Sequence, residues 1–157
     1  MLLFLKNLAF TLIVPGTVAV YLPLYIARDQ PIGSVGALVA GCALIVLGVA
    51  VYLSCQWHFA IFGRGTPAPI DAPSRFVAVG LYRYVRNPMY LGVLSVILGW
   101  ATVFQMAVLL WYALAVATAV HLFVLFYEEP HLRRVFGREY EEYCAQVNRW
   151  LPLSRAR

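Results

Sequence analysis

Charge is scarce in this chain. Only 12% of its 157 residues are Asp, Glu, Lys or Arg, about half the share of a soluble domain. Hydrophobic residues make up 62% and occur in long uninterrupted blocks, so lipid is the solvent for most of the chain. An ordinary soluble fold is excluded. Cysteine is sparse too: Cys42, Cys55 and Cys144 form an odd set without paired spacing. That excludes a disulfide framework and gives no metal cluster. His58, His121 and His131 are too widely separated to suggest a histidine metal site.

Acidic residues are fewer than basic ones, 7 against 12, for a formal net charge of +5. The arginines cluster. Arg64, Arg75, Arg83 and Arg86 lie in one connection, and Arg133, Arg134, Arg138, Arg149, Arg155 and Arg157 lie towards the C-terminus. Beside membrane spans such clusters mark the cytoplasmic side and meet anionic lipid, which sets nucleic-acid binding aside. Lys6 precedes an apolar run that has no small-residue cleavage site, so that run reads as a retained span and not a signal peptide.

Four apolar segments follow from the pattern. The first covers residues 8–27, with bends expected at Pro15 and Pro23. The second covers 32–57, and its Gly33, Gly36, Gly41 and Gly48 permit close helix contact. Residues 63–87 are rich in Gly and Pro and read as a loop, with Tyr82 and Tyr84 at headgroup level. Segment three, residues 88–104, starts with Asn87 as N-cap and Pro88 as first helical residue. It rises roughly 25 Å at ~1.5 Å per residue, slightly short of a ~30 Å hydrocarbon layer. Segment four, residues 106–127, follows almost at once and must be its antiparallel neighbour.

Beyond Pro130 the pattern changes. Leu132, Phe136, Tyr140, Tyr143 and Val147 form one apolar face among Arg and Glu residues, which predicts an amphipathic helix on the membrane or against the bundle. The expected architecture is therefore an all-α integral membrane protein, multi-pass, with four transmembrane helices and a C-terminal amphipathic cytoplasmic helix. Residues 1–157 form a single domain, with 63–87 a cytoplasmic loop and 128–157 a cytoplasmic C-terminal region. The arginine bias places both termini in the cytoplasm.

Two polar groupings stand at the cytoplasmic ends of segments three and four: Arg86, Asn87, Pro88 and Tyr90, and the pair Glu128 and Glu129. The hairpin brings these ends near each other. The carboxylates are either solvated helix ends paired with arginines, or a receptor for a ligand ammonium, with the start of segment three receiving a ligand carboxylate. A methionine-type ligand carries both groups, though composition alone does not select it. His121, an ionisable group inside segment four, faces protein or a cavity, either as a neutral structural residue or as a substrate contact.

The stretches GLYRYVRNPMYLG, LGWA, FYEEP, FGREYEEY and VNRWLP, in that order and spacing, resemble the isoprenylcysteine carboxyl methyltransferase family and related phospholipid methyltransferases. The likeness covers residues 63–152. It implies an S-adenosylmethionine-dependent integral membrane methyltransferase whose cofactor pocket opens to the cytoplasm. Carried onto this chain, the cofactor-binding element is Asn87, Pro88, Met89 and Tyr90. Tyr82, the stretch Ser74, Arg75, Phe76 and Val77, and Glu128 are implied to contribute to the same pocket. Glu129 is implied to orient Arg86 or the closing helix, Arg83, Arg86 and Arg149 are candidates to meet a substrate carboxylate, and Tyr90 or Tyr140 offers an aromatic face to a sulfonium.

The acceptor implied is apolar: a lipid-like or small molecule drawn from among membrane lipids. Val124 stands where prenylcysteine-specific members carry an arginine, and it cannot make that residue's bidentate contact with a carboxylate. Asn148 stands where many bacterial relatives have proline. No residue is identified as a catalytic base. Two other classes stay open: an NADPH-dependent membrane reductase, and a non-catalytic membrane adaptor or transporter.

Overall fold

The computed structural model describes residues 2–63 and 78–152. Helices make up most of these residues. α1 (Leu2–Ile13) leads into a π-helical turn, Thr17–Tyr21, and then α2 (Leu22–Ile26). α3 (Val35–His58) is extended by a second π turn, Phe59–Gly63. A short 3-10 helix, Gly80–Arg83, precedes α4 (Pro88–Val103). α5 (Ala107–Phe123) passes through a third π turn, Val124–Glu128, into α6 (Glu129–Gln146).

Two of the three π turns are placed by proline. Pro23 has no N–H, and the widened turn before it bonds Leu22 N to Thr17 O. The Val18 and Ala19 carbonyls are then free of helical partners. Tyr112 donates its hydroxyl to Val18 O at 2.7 Å, and Trp100 donates its indole N–H to Ala19 O at 3.1 Å. Helices α4 and α5 are thus tied to the first span through backbone groups that a proline released. The same device recurs before Pro130, where Glu129 N bonds to Val124 O.

This second instance overturns the expected architecture of four transmembrane helices followed by a separate cytoplasmic amphipathic helix. Pro130 reads as the start of a new helix, but the preceding π turn takes up its missing hydrogen bond and the helix runs on. Among the described residues three helices are long and apolar enough to cross a membrane: Leu8–Ile26, Val35–Phe62 and Ala107–Gln146. The C-terminal helix is part of the last of these. Within that run Gly137 leaves helical geometry (φ 51°, ψ −124°), in a region that L side chains rarely enter. α4 is only 16 residues long, about 24 Å at ~1.5 Å per residue, and falls short of spanning length.

α4 is shielded from lipid by its neighbours. It packs against α3, α5, α2 and the first π turn, and it buries Val96, Ile97, Ala101 and Val103. Glycines set its approach to α3. A Cβ on Gly48 would lie 2.5 Å from the Gly92 carbonyl oxygen, and one on Gly99 would lie 2.8 Å from that of Gly41. Small residues let the two backbones touch, as in close helix pairs within lipid. Val46, Leu53, Trp111, Leu114 and Phe126 are exposed on the outside of the bundle, the surface a bilayer covers. The apolar helices make this a multi-pass membrane protein.

Candidate functional site

The segment before α4 is fixed from several sides. Gly80 adopts a positive φ of 60°, and a Cβ there would meet the His58 ring at 2.6 Å. Only glycine lets the chain turn so close to α3. Tyr82 is buried beside Phe59, edge to face with centroids 5.4 Å apart, and its carbonyl accepts a 2.6 Å bond from the Tyr143 hydroxyl. Burial raises the Tyr82 phenol well above its ordinary range, and neighbouring Cys55 adds to the effect.

The chain then pairs with the segment after α6. Val85 and Asn148 form a parallel bridge, and Arg86 N donates to Asn148 O at 2.9 Å. Asn87 holds the N-cap position of α4, but its side chain does not cap; Nδ2 donates to the Arg149 carbonyl at 3.1 Å instead. Pro88 is fully buried at the helix start. Met89 and Tyr90 follow in the first turn.

At the same end of the hairpin, the third π turn ends on Glu128 and α6 begins on Glu129, two adjacent carboxylates that face different ways, since successive helical residues diverge by about 100°. Glu128 accepts a hydrogen bond from the Tyr90 hydroxyl at 2.8 Å. Glu129 is buried, 4% exposed, and receives a bidentate contact from Arg149 (Nε–Oε1 2.7 Å, Nη2–Oε2 2.9 Å). Arg86 Nη1 joins the same Oε1 at 3.1 Å and reaches Cys144 Sγ at 2.7 Å. The hydrogen bonds to Glu129 raise the Arg149 pKa above its ordinary value. Glu129 is thus a junction between the entrance of α4 and the C-terminal segment.

Glu128, Tyr90, Asn87, Arg86, Tyr82 and Met89 line one cavity of about 170 Å³. At roughly 10–15 Å³ per water-sized probe sphere, it has room for a ligand of many atoms. Its remaining wall is mostly apolar, from Phe10, Val14 and Val18 of the first span, Val93 of α4, and Val116 and Val120 of α5. Arg86 Nε is buried without a hydrogen-bond partner among the described residues.

The other residues singled out in the sequence lie elsewhere. Glu129 and Arg149 stand behind the cavity and bind each other. Tyr140 is buried in α6 with its ring 6.2 Å from Tyr143, outside the cavity wall. His121 Nδ1 accepts a 3.1 Å bond from the Trp150 indole and does not line the cavity. Val124 is buried and does not line the cavity. Ser74, Arg75, Phe76 and Val77 lie outside the described residues.

Sequence reasoning missed the contribution of the first two spans. Beyond the apolar wall, they supply a polar cluster in which Gln56 Nε2 donates to Tyr52 OH at 2.7 Å and Thr11 Oγ1 at 2.8 Å. The two hydroxyls stand 2.9 Å apart. The available signal was three hydrogen-bonding side chains within otherwise apolar runs.

Comparison with known proteins places this geometry in a family. The model of the phospholipid methyltransferase family matches residues 37–139, which include α4, α5 and both glutamates. The chain belongs to the phospholipid methyltransferase family. Among its relatives are the methanethiol S-methyltransferase of Mycobacterium tuberculosis, 36% identical over 134 residues, which cover 78% of this chain and 51% of that protein. Methanethiol S-methyltransferase 1 of Bradyrhizobium diazoefficiens is 35% identical over 105 residues, 63% of this chain and 35% of that protein. The chain thus spans about half the length, or less, of the curated relatives it matches.

Proposed function

We propose that this protein transfers a methyl group from S-adenosylmethionine to a small apolar or lipid-like acceptor, within the cavity between α1, α3, α4 and α5. The observation that carries this reading is the Tyr90–Glu128 pair at the polar end of an otherwise apolar cavity.

The residues present suit the donor's amino-acid end. Glu128 has Tyr90 as its one hydrogen-bond donor among the described residues, so its carboxylate retains capacity to accept from an ammonium. Arg86 offers a buried, unpartnered N–H on the same wall, suited to a carboxylate. Tyr82, Asn87, Met89 and Tyr90 complete the donor's surroundings, and Glu129 with Arg149 holds Arg86 in place. When bound, the donor supplies a methyl group on a sulfonium, already activated for in-line displacement. The chain's part is to align donor and acceptor and to keep bulk water away with the valine and phenylalanine wall.

The names of the two relatives support a small thiol among the acceptors. Buried Val124, which offers no charge, speaks against a prenylcysteine carboxylate. The arginines clustered at the site end of the bundle support a cytoplasmic face for that end and for both termini.

The test is incubation of purified protein with labelled S-adenosylmethionine and a panel of ethanethiol, phosphatidylethanolamine and a prenylcysteine, followed by mass analysis. A methylated product from ethanethiol or phosphatidylethanolamine, lost in Glu128→Gln, is expected. Donor binding without product from any apolar acceptor would refute the acceptor class, and absence of donor binding would refute the activity.

A further inference from the structure

The cavity wall contains one polar group that the donor's amino-acid end does not use. Among the described residues of the first half of the chain that line the cavity, Tyr52 is the one with a polar side chain. It sits on α3, packed with Met89 and Tyr82, while Glu128, Tyr90 and Asn87 come from the α4–α5 hairpin and its entrance.

The surroundings of Tyr52 hold its hydroxyl in place. It accepts from Gln56 Nε2 and shares a bond with Thr11 Oγ1. A phenolic hydroxyl has one donor and two acceptor positions, so one position of Tyr52 remains beyond these two contacts. The cluster also has unused capacity at Gln56, whose Oε1 is buried without a partner. Reversing the amide would leave a buried N–H unpartnered in its place. Polar groups inside an apolar span are costly unless satisfied, and the unpartnered Gln56 amide oxygen belongs to the side chain that bonds the Tyr52 hydroxyl on the cavity wall, which points to a ligand there.

We propose that the Tyr52 hydroxyl, positioned by Thr11 and Gln56, is the hydrogen-bonding contact for the heteroatom of the methyl acceptor. This rests on the methyltransferase reading of the same cavity. Glu128 and Arg86 are matched to the donor's charges, the Tyr90 hydroxyl is committed to Glu128 and Tyr82 belongs to the donor's surroundings, which leaves the Tyr52 hydroxyl for the acceptor. The acceptor is accordingly uncharged, with one hydrogen-bonding heteroatom on an otherwise apolar body. Thr11 ties the first span to this contact, so residues outside the segment matched by the family model shape the acceptor side of the site.

The experiment compares wild type, Tyr52→Phe and Thr11→Val in detergent. It measures S-adenosylmethionine affinity, thermal stability, and the KM and kcat for ethanethiol. Tyr52→Phe should raise the ethanethiol KM by about three- to tenfold, the range for loss of one hydrogen bond, with donor affinity within about twofold of wild type. Thr11→Val removes a partner of Tyr52 but keeps the Tyr52 hydroxyl itself, so it should move the KM less, even if both variants lose stability equally. Overturning results are a folded Tyr52→Phe with unchanged acceptor KM, a parallel loss of donor affinity, or effects that track stability in both variants. A wild type that binds donor but leaves ethanethiol unmethylated would also overturn it. Absence of donor binding by wild type would instead refute the underlying activity.

Discussion

The Tyr90 hydroxyl donates to Glu128 Oε2 at 2.8 Å, joining the first turn of α4 to the end of the π turn that follows α5. The bond holds the Glu128 carboxylate on the cavity wall without neutralising it. Tyr90→Phe should therefore weaken S-adenosylmethionine binding by about tenfold, in line with the loss of a hydrogen bond to a charged group. Isothermal titration of the detergent-solubilised variant checks this, and an unchanged affinity would separate Tyr90 from the donor site.

Glu129 supports the site from behind. Its carboxylate meets both Arg149 and Arg86, and its removal leaves two guanidinium groups short of a counter-charge. Breaking a buried pair from one side costs about 3 kcal/mol or more. Glu129→Gln should lower the melting temperature clearly, with Glu129→Asp recovering part of the loss. A melting temperature equal to wild type would show that the junction carries no stability.

The α3–α4 contact is built on backbone proximity. Gly48→Val would push a side chain into the Gly92 carbonyl region, where even a Cβ has only 2.5 Å. The helices must separate, at about 1–3 kcal/mol or more for overpacking. Loss of folded protein, or a strongly lowered melting temperature, is expected in detergent extracts. Gly36→Val is the control, because nothing lies within 4 Å of a Cβ at that position.

Trp100 satisfies a carbonyl that Pro23 leaves free. Trp100→Phe keeps most of the packing but strands the Ala19 oxygen, which should cost about 1–3 kcal/mol. Thermal unfolding of the single variant, and of the double variant with Tyr112→Phe, measures it. Stability equal to wild type in both would mean that these donors do not tie α4 and α5 to the first span.

Much of the local structure was legible because single residues dictate it. Pro88 can begin a helix but not continue one, and α4 starts there. The short connection around Gln105 made α4 and α5 antiparallel, which places Tyr90 and Glu128 at the same end. What the sequence concealed was the behaviour of proline inside a helix. Pro130 resembles a helix start, yet the π turn before it lets Ala107–Gln146 continue as one run. Asn87 looked like a capping side chain, but Asn87 bonds instead to a carbonyl 62 residues away, a partner no local pattern reveals. The apolar wall from Phe10, Val14 and Val18 was hidden for a similar reason. A valine facing lipid and a valine facing a ligand look alike in sequence.

The central claim is that the paired ends of α4 and α5 receive the amino-acid portion of a methyl donor. Equilibrium binding of S-adenosylmethionine to the purified protein tests it most directly. Wild type should bind saturably at one site, and Glu128→Gln should bind about thirtyfold more weakly, the loss of one charged hydrogen bond, with its melting temperature unchanged. Equal affinity in a folded Glu128→Gln, or no saturable binding by wild type, would contradict the account.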